Sequence, residues 1–308
     1  MSGSTETATP TKDAMISTGA RPAKGRRDGR LVDDLPAMRR VVPHLMPTRL
    51  DATVYYPQYL EVERLMSWLD DVNLHRPAEQ QIRFFHVFLT ALARLFHQRP
   101  ELNRFISGRR TYEHRDISFA FTVKKALTDE ADEVQAQITF TGLETVDEVR
   151  TMVDEALTRA RNHTRNESDR LVSQLVRLPG PVIAAVARTA WALDSINRLP
   201  KILQDAIPTY ASAYLVNMGS LKAEAPFHHL YRHGTAGVFV SIGTIRPEPV
   251  VDESGAIVAR RRVDVVYTID ERVTDGFYLV RSAHILQQMV DDTDALLHPP
   301  AERVPPGP

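Results

Sequence analysis

Near its C-terminal end the sequence writes out a hairpin. Two alternating, β-rich runs, GVFVSIGTIRPEPVV and IVARRRVDVVYTID, flank the turn residues Asp252-Glu253-Ser254-Gly255. The second run ends in a charged corner, Asp270-Glu271-Arg272. Four residues after Glu271 comes Asp275-Gly276, and from there an apolar helical pattern, FYLVRSAHILQQMVDDTDALL, takes over. A hairpin that runs directly into a helix commits the C-terminal half to an antiparallel sheet closed by that helix. The N-terminal half mixes helices with further strands, and no strand–helix–strand unit repeats. The expected class is therefore α+β, with a mixed or antiparallel sheet flanked by helices, rather than a doubly wound sheet.

The clearest helix is QIRFFHVFLTALARLFHQ, in which Phe84, Val87, Phe88, Ala91, Leu92 and Leu95 recur at helical spacing until Pro100 ends it. Such a stripe reads as core packing. A second helix is expected from Val62, Leu65, Met66 and Leu69, and a long charged one from TVDEVRTMVDEALTRARNHTRNESDRLVSQLVRL. Strands are expected in ATVYYPQYLEV, DISFAFTVKKAL, EVQAQITFTGL and SAYLVNMGSL. The longest apolar stretch, GPVIAAVARTAWAL, is shorter than the ~20 residues a bilayer span needs and carries Arg188 in its middle. It reads as a buried or interfacial helix.

Composition narrows the function classes. Net charge is -1 over 308 residues, so no global field recruits nucleic acid or an anionic membrane, and no stable membrane insertion is expected. There is no cysteine, which rules out disulfides, thiolate metal sites and a cysteine nucleophile, and which fits a reducing, cytoplasmic setting. The first 34 residues are rich in Ser, Thr, Gly and charge, and read as a disordered tail with a basic end, RPAKGRRDGR. Residues 35–298 read as one catalytic-type domain, and 299–308 as a Pro-rich tail.

Taken in order, several short motifs resemble the catalytic domain of 2-oxoacid dehydrogenase acyltransferases, whose fold is shared by chloramphenicol acetyltransferase. The corner Asp270-Glu271-Arg272-Val273-Thr274-Asp275-Gly276 is similar to that family's Asp-His-Arg-x-x-Asp-Gly. MRRVVPHLM resembles its Arg-Arg-x-x-Ala-x-x-Met helix, PELN its Pro-x-Leu-Asn, and VNMGSL its Ser-Asn-Leu-Gly segment. SIGTIRPEPVV resembles the strand before its final hairpin, and together these motifs cover roughly Leu35 to Pro299. Two departures stand out. Glu271 occupies the place of the family's catalytic histidine, and Val216 falls where its hydroxyl-bearing residue stands, with Ser212 and Ser220 close by.

The resemblance implies acyl transfer from a coenzyme A thioester, or another acyl thioester, to a thiol or hydroxyl, in a homotrimer or multiple of trimers with sites between subunits. It implies no metal, and no covalent lipoyl group is expected, since no lipoyl domain fits before Leu35. In the family the histidine takes a proton from the attacking group and a hydroxyl stabilises the oxyanion. Imidazole titrates near ~6.5, whereas a carboxylate starts near ~4.3 and must be desolvated to serve a thiol near ~8.5. Candidate catalytic residues are accordingly Glu271, Arg272 and Asp275, with His228 and His229 of PFHHLYRHGTAGV as substitute bases. Asn217, Gly219 and Ser220 are candidate binding residues, although Asn217 and Gly219 equally suit a tight turn. Asp270, Glu271, Arg272 and Asp275 equally suit an ionic cluster capping the last helix. His229 and His233 would share one face of a helix and form half a zinc site there, but Pro226 and Gly234 argue for a loop. A scaffold or ligand-binding module that has lost catalysis is the other function class open to this chain.

Overall fold

The computed structural model describes residues 26–124, 133–162, 175–205, 207 and 209–300. One sheet organises them, in the order β2–β10–β8–β7–β5–β6. Its strands are β2 (Thr53–Glu61), β5 (Ile117–Lys124), β6 (Glu133–Phe140), β7 (Ala213–Asn217), β8 (Val238–Ile242) and β10 (Ile257–Asp270). A seventh strand, β9 (Arg246–Val251), pairs with the first half of β10. The hairpin forms as its pattern requires, Val251 facing Ile257 and Arg246 facing Arg262. Its turn holds because Asp252 Oδ1 accepts from the Ser254 and Ala256 amides, while Gly255 takes φ +83°.

The sheet is mixed. β7 lies parallel to both β5 and β8, and every other pairing in it is antiparallel.

Helices flank the sheet, and the core lies between one of its faces and four of them. The helices are α1 (Ala37–Leu45), α2 (Glu63–Asn73), α3 (Phe84–Gln98), α4 (Val146–Arg161), α5 (Gly180–Ser195), α6 (Lys201–Asp205) and α7 (Gly276–Asp291), of which α2, α3, α4 and α7 supply the core. In α3, 11 of 15 residues are buried, because its Phe and Leu residues extend around the helix rather than along one stripe. Phe96 meets Phe119 edge-on at 5.2 Å, and Phe119 meets Phe140 at 5.0 Å, locking α3 to β5 and β6. The buried Arg94 of α3 donates to the carbonyls of Glu144 and Ala295, tying the segment after α7 across the helix layer.

Three expectations meet a different outcome. The stretch read as a tail up to residue 34 enters the fold: Gly29–Leu31 forms β1, which pairs with β4 (Arg110–His114). β4 in turn pairs with β3 (Arg104–Ser107), giving a small second sheet that the pattern of RFISGRRTYEH did not reveal. Arg26 is 2% exposed there, held by Asp28 and Asp194, which the basic composition of the segment concealed. Residues 1–25 and 301–308 of the expected tails lie outside the described residues, as does the 163–174 part of the long charged helix. Finally, Met218–Leu221 of SAYLVNMGSL forms a 3-10 turn after β7 rather than strand.

Candidate functional site

The face of the sheet turned away from the core helices carries Asp270 and, in the loop laid over it, His228 and His229. Strand alternation puts Asp264, Val266, Thr268 and Asp270 of β10 on that face, beside Phe239 and Ser241 of β8. The loop 225–234 lies across it and is fastened at three points. Asp264 accepts from the Ala225 amide at 2.5 Å, Thr268 donates to the His228 carbonyl at 2.6 Å, and Arg49 donates to the carbonyls of Tyr231 (2.8 Å) and Gly234 (3.0 Å).

The charged corner splits into two parts. Asp270 is fully buried, and Arg272 folds back onto it with a fork, Nε to Oδ1 at 2.8 Å and Nη2 to Oδ2 at 2.7 Å. Arg49 approaches Asp270 from the other side at 3.6 Å, and Arg272 also reaches the carbonyls of Met46 and Pro47. Arg272, expected among the catalytic residues, is thus occupied in holding the corner. Burial pulls the Arg49 guanidinium below its ordinary value, against the pull of Asp270. Asp275 caps α7 by accepting from the Tyr278 amide at 2.8 Å, and its other oxygen pairs with Arg39 of α1 at 2.8 Å. Glu271 alone is left out. Its amide is tied to the Ala52 carbonyl, yet its side chain is exposed and has no polar partner among the described residues. The ionic cluster expected of all four residues forms from Asp270, Arg272 and a distant Arg49, with Asp275 as a separate cap.

His228 is placed differently. Its ring stacks on Phe239 at 4.1 Å and on His229 at 4.7 Å. Its Nδ1 lies 2.7 Å from the His229 carbonyl, which can only accept, so Nδ1 carries the proton and Nε2 of the neutral ring carries the lone pair. His229 is exposed. No helix forms over 226–234, so His229 and His233 do not share a helical face. The His233 ring stacks flat on Trp191 at 3.9 Å, and burial, with Arg232 and Arg49 nearby, pulls its pKa below the ordinary value. Among the described residues, no group of three or more potential ligands gathers as a metal site would require.

Asn217, Gly219 and Ser220 build a turn: Asn217 Oδ1 accepts from the Gly219 amide at 3.1 Å, and Ser220 Oγ donates to the Asn217 carbonyl at 3.0 Å. Gly219 is obligatory, because a Cβ there would sit 2.5 Å from the Gly243 carbonyl oxygen. Within one chain this turn and Glu271 lie far apart. Asn217 aligns with Ile242 and so with Val265, six residues or about 20 Å before Glu271 along β10. His228, held over Thr268, lies about 10 Å from the corner by the same measure. One residue escaped the sequence reading altogether. Ser241, directly across from Val216, is fully buried, and its hydroxyl has no hydrogen-bond partner among the described residues. A serine inside a β-run carries no signal of that.

No family model and no curated protein matches the chain. Solved structures do match it. A probable dihydrolipoamide acetyltransferase from Listeria monocytogenes aligns with a TM-score of 0.57 at 14% identity, over 84% of this chain and 93% of that one. The cubic core of a pyruvate dehydrogenase multienzyme complex aligns with a TM-score of 0.57 at 13% identity, over 94% and 100%. A dihydrolipoamide acetyltransferase from Azotobacter vinelandii, studied for the roles of a serine, a histidine and an asparagine in its catalytic mechanism, gives 0.57 at 15%, over 86% and 94%. The chain therefore has the α+β fold of these acyltransferase cores.

Proposed function

We propose that this chain transfers an acyl group from a thioester, such as an acyl-coenzyme A, to a thiol or hydroxyl acceptor, with His228 as the base. The observation that carries the reading is the Nδ1–His229 carbonyl contact. It leaves Nε2 as a lone-pair acceptor, on a face that the fold shares with acyltransferase cores. Nε2 takes the proton from the attacking thiol or hydroxyl. The nucleophile adds to the thioester carbonyl, and the tetrahedral intermediate expels the thiolate of coenzyme A, which recovers the proton from the imidazolium.

Glu271 supports a second assignment of the base, because its motif resembles the one in which acyltransferases carry a histidine, and its amide is tied to the Ala52 carbonyl. An exposed carboxylate has too low a proton affinity to serve a thiol, so that role requires another copy of the chain to desolvate it. The separation of about 20 Å between Glu271 and the Asn217–Gly219–Ser220 turn favours the same condition: a site using both takes them from two copies, as in a homotrimer or multiple of trimers.

The experiment follows release of free coenzyme A from acetyl-coenzyme A with a panel of thiol and alcohol acceptors, for wild type, His228→Ala and Glu271→Gln. Loss of turnover in His228→Ala alone supports the imidazole, and loss in Glu271→Gln alone transfers the role to the carboxylate. No turnover with any acceptor, together with no calorimetric binding of coenzyme A, replaces the reading with that of a scaffold or binding module.

A further inference from the structure

The helix α5 has a composition that its surroundings do not match. Ten of its 16 residues, in GPVIAAVARTAWALDS, are apolar, yet none is buried. α3, of nearly the same length, buries 11 of 15. Among the described residues, α5 is fastened to the body near its C-terminal end, where Trp191 stacks on His233 and Asp194 accepts from Arg26 at 2.6 Å. Val182 and Val186 stand 42% exposed on the helix. Val176 (69%) precedes it, and Ile196 (62%) and Ile202 (41%) follow it. Exposed apolar residues gathered on one segment in this way mark a docking surface.

We propose that α5 docks on the surface of a lipid bilayer bearing anionic headgroups. The charge pattern selects that occupant. From Leu175 to Asp205 the chain carries four cations, Arg177, Arg188, Arg198 and Lys201, against two acids, Asp194, which Arg26 already pairs, and Asp205. The segment is therefore locally basic although the whole chain has a net charge of -1. Apolar side chains entering the acyl boundary, with Arg and Lys reaching the headgroups, is how interfacial helices bind. No helix among the described residues is long and apolar enough to cross a membrane, so α5 lies on the bilayer rather than through it. α5 by itself does not hold two copies together. One face of a 16-residue helix, about 24 Å long and about 10 Å wide, offers roughly 240 Å² where a stable dimer buries about 800 Å² on each partner. The inference is independent of the acyl-transfer reading.

The test is co-sedimentation of the full chain with vesicles of phosphatidylcholine alone and of phosphatidylcholine with phosphatidylglycerol. It is run for wild type, Val182→Asp/Val186→Asp and Arg188→Glu/Arg198→Glu, with size-exclusion light scattering and thermal unfolding of each. Wild type is expected to bind the phosphatidylglycerol vesicles and to be released by added salt. Each double variant is expected to lose about tenfold or more in binding, with an unchanged thermal midpoint and assembly state, since neither pair is buried. Absence of wild-type binding to the anionic vesicles overturns the proposal. So does breakdown of an oligomer in Val182→Asp/Val186→Asp, which would assign the face to contact between copies. Equal binding to both vesicle types overturns the anionic preference.

Discussion

Arg272 grips the carboxylate of Asp270 through two nitrogens, at 2.7 and 2.8 Å, with both side chains out of solvent, while Glu271 between them faces outward. The pair is what turns the end of β10 into the start of α7, and the first two expected outcomes start from this corner.

Replacing Asp270 by Asn leaves two buried guanidinium groups, Arg272 and Arg49, without their carboxylate. A broken buried pair costs about 3–5 kcal/mol because the surviving charges stay desolvated. Denaturant unfolding of Asp270→Asn should report a loss of that order; a change under ~1 kcal/mol would mean that the cluster holds nothing together.

Asp275→Ala removes the α7 cap and the Arg39 pair, and should cost about 0.5–2 kcal/mol. Glu271→Gln touches an exposed side chain and should stay within about 0.5 kcal/mol of wild type. Equal midpoints for the two variants would contradict the division of the corner into structural and free carboxylates.

Acid should unfold the protein through two histidines. Burial lowers His86 and His114 to about 4, against about 6.5 in the unfolded chain. The unfolded state then binds more protons as pH falls through that window, so stability is lost progressively from about pH 6.5 down to about pH 4, by a few kcal/mol in all. Thermal midpoints measured across pH 4–8 should fall below about 6.5 in wild type. They should fall less steeply in His114→Gln, provided that variant folds at neutral pH.

Gly219→Ala places a Cβ 2.5 Å from the Gly243 carbonyl oxygen, so the turn at Asn217 must shift. Overpacking of this kind costs about 1–3 kcal/mol. The same substitution at Gly276, whose Cβ would meet nothing within 4 Å, should be mild by comparison in the same unfolding assay.

His228→Ala should keep its unfolding midpoint within about 1 kcal/mol, because the ring is only half-buried between Phe239 and His229, yet abolish coenzyme A release. Turnover equal to wild type would remove His228 from the reaction.

Much of this was written in local sequence. The period-2 runs around Asp252–Gly255 determined the β9–β10 hairpin, and the 3.6 period from Phe84 determined α3, since each needs only neighbours in the chain. The order of short motifs from MRRVVPHLM to the charged corner likewise determined the fold class. Tertiary structure decided the rest. Asp270 and Arg272 turn inward where Arg49 arrives from the other half of the chain, and Glu271 between them does not. Whether His228 offers a lone pair depends on a carbonyl that the loop happens to present, and whether α5 is covered depends on what the sheet leaves beside it. The parallel placement of β7 between β5 and β8, and the pairing of β1 with β4, are contacts between distant segments. Alternation says which face a residue shares along its own strand; it holds no information about which strand, charge or carbonyl the fold will set against that face.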